Sequence, residues 1–193
     1  MKIERVESVL AGNMQIVRIF TDNGLEGIGQ SACWGYLEAS DAVVKKFSEY
    51  LVGQDPLQIE HHWQYLYRMG PFRGSVISGA LSSVDIALWD IKGKALGQPV
   101  HALLGGPTRT KARVYAHVYG KTIEAVLEEC IAKKEAGFTA VGHINPFLDE
   151  GEDEVYFKPH VKKMRDAIDN VRRMRDDVDL NIELHRRLTP AEA

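Results

Sequence analysis

Near its carboxyl end the chain reads Asn-Ile-Glu-Leu-His over residues 181–185, and two of those side chains could do chemistry together. Residues two apart on a β-strand point to the same side, with Cα atoms about 7 Å apart. Glu183 and His185 would therefore share a face. A carboxylate is a hard oxygen donor that suits Mg2+, an ion that keeps several waters and takes few protein carboxylates. An imidazole with an ordinary pKa of about 6.5 holds or releases a proton at neutral pH and can serve as a general acid. A hydrated strand end that happens to be polar would carry the same two residues, so the surrounding elements have to decide.

Those elements follow two grammars. KIERVESVL and MQIVRIFT alternate polar and apolar residues, and LEGIGQSA follows Asp22-Asn23-Gly24 as a return arm, which predicts an antiparallel meander. Helical spacing then takes over. It runs through Ala42, Val43, Phe47 and Leu51, then Ile59, Trp63 and Leu66 after Pro56. A longer helix carries Ile77, Leu81, Val84, Leu88, Ile91 and Ala95 on one face until Gly97-Gln98-Pro99 ends it. Strands followed by a run of helices make an α+β domain, expected to span 1–110.

From 111 to 193 the order changes to β-α-β-α-β. ARVYAHVY, TAVGHIN and LNIELH read as strands, and TIEAVLEECIAKKEAGF reads as a helix closed by Gly137. A second helix places Val161, Met164, Ile168, Val171 and Met174 in one stripe, expected to be buried. Such a pattern predicts a parallel sheet. Thr189, Pro190 and Glu192 stand in the order of an N-cap, a first-turn proline and a capping-box acid, so a helix is expected to start where the chain stops. The expectation is a chain lacking its C-terminal half, or one whose continuation lies outside these 193 residues.

Composition narrows the classes. With 45% apolar residues, a net charge of -3 and two widely spaced cysteines, nothing points to nucleic acid, a membrane, a disulfide scaffold or a zinc site. The opening residues alternate instead of forming a signal sequence, which predicts a cytoplasmic protein.

The segment SGALSSVDIALWDIKGKALGQPVHALLGG resembles the junction between cap and barrel in the enolase superfamily, in its mandelate racemase-like branch, and TDNGLEGIGQ is similar to that branch's N-terminal meander. The resemblance implies an α+β capping domain followed by the first three β/α units of a (β/α)8 barrel, incomplete in this chain. Within the branch, IELHRRLTPAEA looks most like the sugar-acid dehydratases of the galactonate and mannonate dehydratase-like group. That likeness makes Glu183 a ligand of Mg2+, with glutamate where many relatives carry aspartate, and His185 the general acid.

The implied reaction removes the proton beside a carboxylate, giving an enediolate that the metal stabilises, and then expels the 3-hydroxyl as water. The remaining metal ligands and the base would come from later strands. Racemase and cycloisomerase relatives carry K-x-K on the second strand, where this chain has His143 and Asn145, so lysine chemistry from that strand is excluded. His143 stands where several dehydratases place a lysine, and His117 is similar to a substrate-binding histidine of mannonate dehydratase-like proteins. Trp34 and Tyr36 fall where the family has a loop over the active site, and Arg73 in GPFRG is a further candidate for a substrate carboxylate. The expected partners are a small acid sugar and further copies of the chain. A non-catalytic fragment that binds or self-associates is the alternative, and a racemase or epimerase of the same superfamily is another.

Overall fold

A computed structural model describes residues 1–31, 33, 35–144, 160–174 and 179–182, apart from the side chains of 143, 144, 160, 163 and 179–182. The chain falls into two compact units, Met1–Thr108 and Arg109–Ala193.

In the first unit, β1 (Ile3–Ala11), β2 (Met14–Thr21) and β3 (Glu26–Ser31) form an antiparallel sheet in that order. Gly12 makes the first turn at φ +60° and Gly24 the second at φ +83°, conformations that side chains with a Cβ rarely adopt. Alternation on β2 buries Gln15, Val17, Ile19 and Thr21 on one face. The helices α1 (Leu37–Leu51), α2 (Ile59–Arg68) and α3 (Ser75–Leu96) cover that face. The core joins Ile3, Val17, Ile19, Val44, Phe47, Leu51, Leu66, Leu88 and Ile91. Helix α3 ends as expected at Gly97, left-handed at φ +62°, and the short α4 (Val100–Leu103) follows. Two apolar expectations fail, because Ala42 and Ala95 are exposed and Val44 takes the buried place on α1.

Contact between β3 and α3 is made backbone to backbone. A Cβ at Gly27 would lie 2.0 Å from the Ala87 carbonyl oxygen, and one at Gly29 would lie 1.8 Å from that of Ser83. The spacings match: two strand residues advance about 6.6 Å and four helical residues about 6 Å. Gly27 and Gly29 can therefore meet Ala87 and Ser83 in step, and Ser31 meets Gly79 one step further on. Side chains of α3 also reach round to β3: Asp90 Oδ2 accepts from the Ile28 amide at 2.9 Å, and Lys94 Nζ donates to the Glu26 carbonyl at 2.7 Å.

Buried polar groups in this unit are paired. Gln15 donates to Ser8 Oγ at 2.8 Å and accepts from Ser40 Oγ at 2.5 Å. His62, fully buried on α2, sits 2.8 Å from the Asp55 carbonyl through Nε2 and 3.0 Å from Tyr50 Oη through Nδ1. A carbonyl can only accept, so Nε2 carries the hydrogen and Nδ1 accepts from the phenol. Burial, partly opposed by the Asp55 carbonyl, holds the His62 pKa below its usual 6.5. Below that pH the unfolded chain takes up a proton that the folded chain refuses, so stability falls as pH drops from 6.5 towards the folded value. Urea midpoints at pH 7.5 and 5.5 are expected to fall less for His62→Gln, which keeps a donor and an acceptor but does not titrate, than for the native chain. Equal declines in both would remove His62 from the account.

In the second unit, β4 (Ala116–His117), α5 (Ile123–Glu135), β5 (Ala140–Ile144), α6 (His160–Met174) and β6 (Asp179–Ile182) alternate. The three strands are parallel in the order β4-β5-β6. Thr122 caps α5, its hydroxyl accepting from the Ala125 amide at 3.2 Å. Val118, Ile123, Val126, Cys130, Val141 and Met174 form the core between sheet and helices. Arg173 reaches across to Glu124 at 2.9 Å, linking α6 to α5.

Two expectations are corrected here. Among the described residues, the strand expected over ARVYAHVY pairs in register at Ala116 and His117, with the Val118 amide donating to the Gly142 carbonyl at 3.3 Å, and Arg113 ahead of it instead bonds Thr139 through side chain and carbonyl. The apolar stripe of α6 is only partly buried: Met174 is covered, whereas Val161 and Ile168 are 64% and 47% exposed.

Candidate active site

Parallel pairing brings the carboxyl ends of three strands to one edge. His117 on β4 stands opposite Gly142 on β5, and Gly142 stands opposite Asn181 on β6. The next step is irregular. Ile144 pairs with Ile182, so β5 spends two residues where β6 spends one, and His143 is the extra residue of a bulge. A bulge shifts the alternation of everything after it and re-aims the strand end, a device common beside active sites.

Sequence candidates distribute unevenly over this frame. His117 is described, at the end of β4. Its Nδ1 lies 2.8 Å from Tyr119 Oη, and its ring stacks on Tyr115 with centroids 5.4 Å apart at 18°. His143 lies near the end of β5, with only its backbone described. Trp34, Asn145, Glu183 and His185 lie outside the described residues, as do Thr189, Pro190 and Glu192.

In the first unit, Tyr36 is exposed at the N-cap of α1, its amide donating to the Cys33 carbonyl at 2.9 Å. Arg73 serves its own loop. Its Nη1 donates to the carbonyls of Gly70 and Pro71 at 3.1 and 2.9 Å, and the guanidinium lies over the Tyr67 ring at 4.8 Å.

Tyr115, Tyr119 and Glu129, which pack around the end of β4, are not among the sequence candidates, although the Tyr-x-His-x-Tyr spacing of residues 115–119 marks one face of a strand and could have shown the first two. Glu129 could not be found this way, because it acts from α5 by accepting the Tyr119 amide at 2.5 Å. Burial, with Glu129 beside it, raises the thiol pKa of Cys130. Among the described residues, no three His, Cys, Asp or Glu side chains converge as a metal site. The assigned Mg2+ ligand, Glu183, lies outside the described residues. Among the described residues no helix is long and apolar enough to cross a membrane.

Likeness to known proteins agrees with this layout. Residues 5–105 match the mandelate racemase / muconate lactonizing enzyme N-terminal domain. A D-galactonate dehydratase of Verminephrobacter eiseniae is 37% identical over 182 residues, covering 92% of this chain and 46% of its own length. An enolase from Agrobacterium radiobacter, solved with sodium and L-malate, superposes with a TM-score of 0.82 at 28% identity, over 96% of this chain and 48% of that one. An enolase from Pantoea ananatis, solved with D-gluconate and magnesium, gives 0.78 at 26% identity, over 99% and 55%. The chain spans about half the length of the curated relatives it matches. With the matched domain covering more than half of its residues, the chain belongs to the mandelate racemase / muconate lactonizing enzyme family of the enolase superfamily.

Proposed function

We propose that the protein is a Mg2+-dependent dehydratase of an acid sugar, an aldonate such as galactonate, mannonate or gluconate. In this reading residues 1–110 form the cap, and 111–193 supply the first three units of an eight-stranded barrel. One observation carries it: the row His117, Gly142, Asn181 sets three parallel strand ends at a single edge. In sequence, His143 and Asn145 come after Gly142, and Glu183 and His185 come after Asn181. Barrel enzymes build their chemistry at that edge. The names of the relatives point to the same class of reaction.

His185 is assigned the proton that turns the 3-hydroxyl into water as the C3–O bond breaks. The hydrogen on C2 leaves to a base outside the assigned residues. Loss of both groups gives an enol that becomes a 2-keto-3-deoxy acid. His117, His143 and Asn145 are assigned contacts with substrate oxygens, Trp34 and Tyr36 carry the same assignment by resemblance, and Arg73 is a further candidate for the substrate carboxylate. Bound Mg2+, with Glu183 as one carboxylate ligand, would offset the negative charge that develops on the substrate carboxylate. The active form is proposed to be a homo-oligomer.

The test is product formation from the three aldonates by the complete gene product, with Mg2+, after chelation, and after Mg2+ is restored. A 2-keto-3-deoxy acid that vanishes and returns is the expected result. Epimerised aldonate without keto acid would replace the proposal with the racemase reading, and no turnover at all would leave a non-catalytic protein.

A further inference from the structure

One face of α2 is left open. Ile59, His62 and Leu66 turn inward and are buried, whereas Tyr65 and Met69 are exposed, as are Leu57 just ahead of the helix and Phe72 in the loop after it, the last at 80%. Charge divides along the same face. Glu60 stands in the first turn and Arg68 in the last, four residues to either side of Gln64, which sets them about 12 Å apart along the axis. Gln64 lies between them as a neutral bridge, its Nε2 donating to Glu60 at 2.7 Å and its Oε1 accepting from Arg68 Nη1. Among the described residues neither Glu60 nor Arg68 has an ion-pair partner. Asp85 of α3 adds to the acid end, where burial and then the charge of Glu60 raise its pKa. Beside Arg68 lies a hollow of about 430 Å3, lined by His61, Gln64, Tyr65, Arg68 and Met69.

A face that binds a copy of itself about a two-fold axis must carry complementary groups at equal distances from one point, because residue i then meets residue j and j meets i. The open face of α2 has that layout about Gln64. With the axis there, two copies of the helix lie antiparallel, and Glu60 faces the partner's Arg68 while Arg68 faces the partner's Glu60. Leu57 and Phe72, seven residues before Gln64 and eight after it, fall on opposite sides of the axis, so that Leu57 comes against the partner's Phe72. Tyr65 flanks the axis. We propose that this face of α2 is a docking surface for a second copy of the chain, joined by two Glu60–Arg68 pairs and the apolar residues beside them. The proposal rests on reading the protein as a homo-oligomer and is independent of the reaction assigned to it. Within one chain the helix dipole favours the same order of charges, acid first and base last, so the test has to read a pairing between chains.

Glu60→Arg and Arg68→Glu, both at exposed positions, are made singly and together in the complete gene product, and dissociation is followed by sedimentation equilibrium over a dilution series. Each single reversal brings like charges together at both contacts of a pair, so the dissociation constant is expected to rise about tenfold or more. The double variant restores opposite charges at both contacts, and so does an equimolar mixture of the two single variants, in which each chain pairs with the other kind. Both should return to within about threefold of the native constant. Two variants that had merely lost their fold would not repair each other on mixing. Single variants that associate as tightly as the native protein overturn the proposal and leave the homo-oligomer standing on another face. A mixture as weak as its components also overturns it. Native protein that stays monomeric throughout the series ends both the proposal and the homo-oligomer reading, and the dehydratase assignment is then judged by turnover alone.

Discussion

Gly29→Val is expected to unfold the Met1–Thr108 unit. A Cβ at Gly29 would sit 1.8 Å from the Ser83 carbonyl oxygen, 2.8 Å from its carbon and 3.0 Å from the Ala87 nitrogen. All three are helix backbone atoms, so no rotamer change relieves the clash, and either α3 lifts from the sheet or β3 leaves it. Ordinary overpacking of a core costs about 1–3 kcal/mol because side chains can give way. Here the expected cost is above about 4 kcal/mol, against a total stability of about 5–15 kcal/mol for a typical domain. Gly70→Ala is the control, with nothing within 4 Å of the added carbon and an expected change within about 0.5 kcal/mol. Urea denaturation followed by circular dichroism measures both. A Gly29→Val unit that unfolds cooperatively within about 1 kcal/mol of the native one would show that helix and strand are not in direct contact.

The other large effect concerns turnover. His185→Asn in the complete gene product should lower dehydration about 10²- to 10⁴-fold, the usual contribution of a general acid, while deuterium exchange at C2 of the aldonate continues. Asparagine keeps a polar side chain of similar reach and cannot deliver a proton to the departing hydroxyl. The two steps separate because the base that removes the C2 proton is assigned elsewhere. Dehydration at the native rate would end the assignment of His185. Simultaneous loss of exchange and dehydration would move His185 from leaving-group protonation to proton abstraction or substrate binding.

What could be read in the chain was local. Alternation in KIERVESVL and MQIVRIFT produced the meander, and Gly97 ended α3 where the apolar spacing stopped, because strand faces and helix caps are written within a few residues. Demands that arise between distant segments were not readable. Gly27 and Gly29 look like weak points in a strand until Ser83 and Ala87 of α3, more than fifty residues later, require a surface without side chains. Nothing local marks His62, because its partners Tyr50 and Asp55 come from outside α2. Strand β4 was overestimated because ARVYAHVY has strand character throughout, whereas paired length depends on the neighbouring strand. Of the candidate site, the alternation around His117 was legible, but the brace that Glu129 supplies to Tyr119 needed the fold.

At the outer rim of β3, the last strand of its sheet, helix α3 does more than pack. Unpaired strand rims attract foreign strands, which leads to domain swapping and aggregation. The Ile28 amide and Glu26 carbonyl, one donor and one acceptor on that rim, are already occupied by Asp90 and Lys94, which also pair with each other at 2.8 Å. An incoming strand would have to break both bonds and pull a carboxylate away from an ammonium before gaining its first pair of its own. The helix that completes the core thus also stands guard over the sheet's edge.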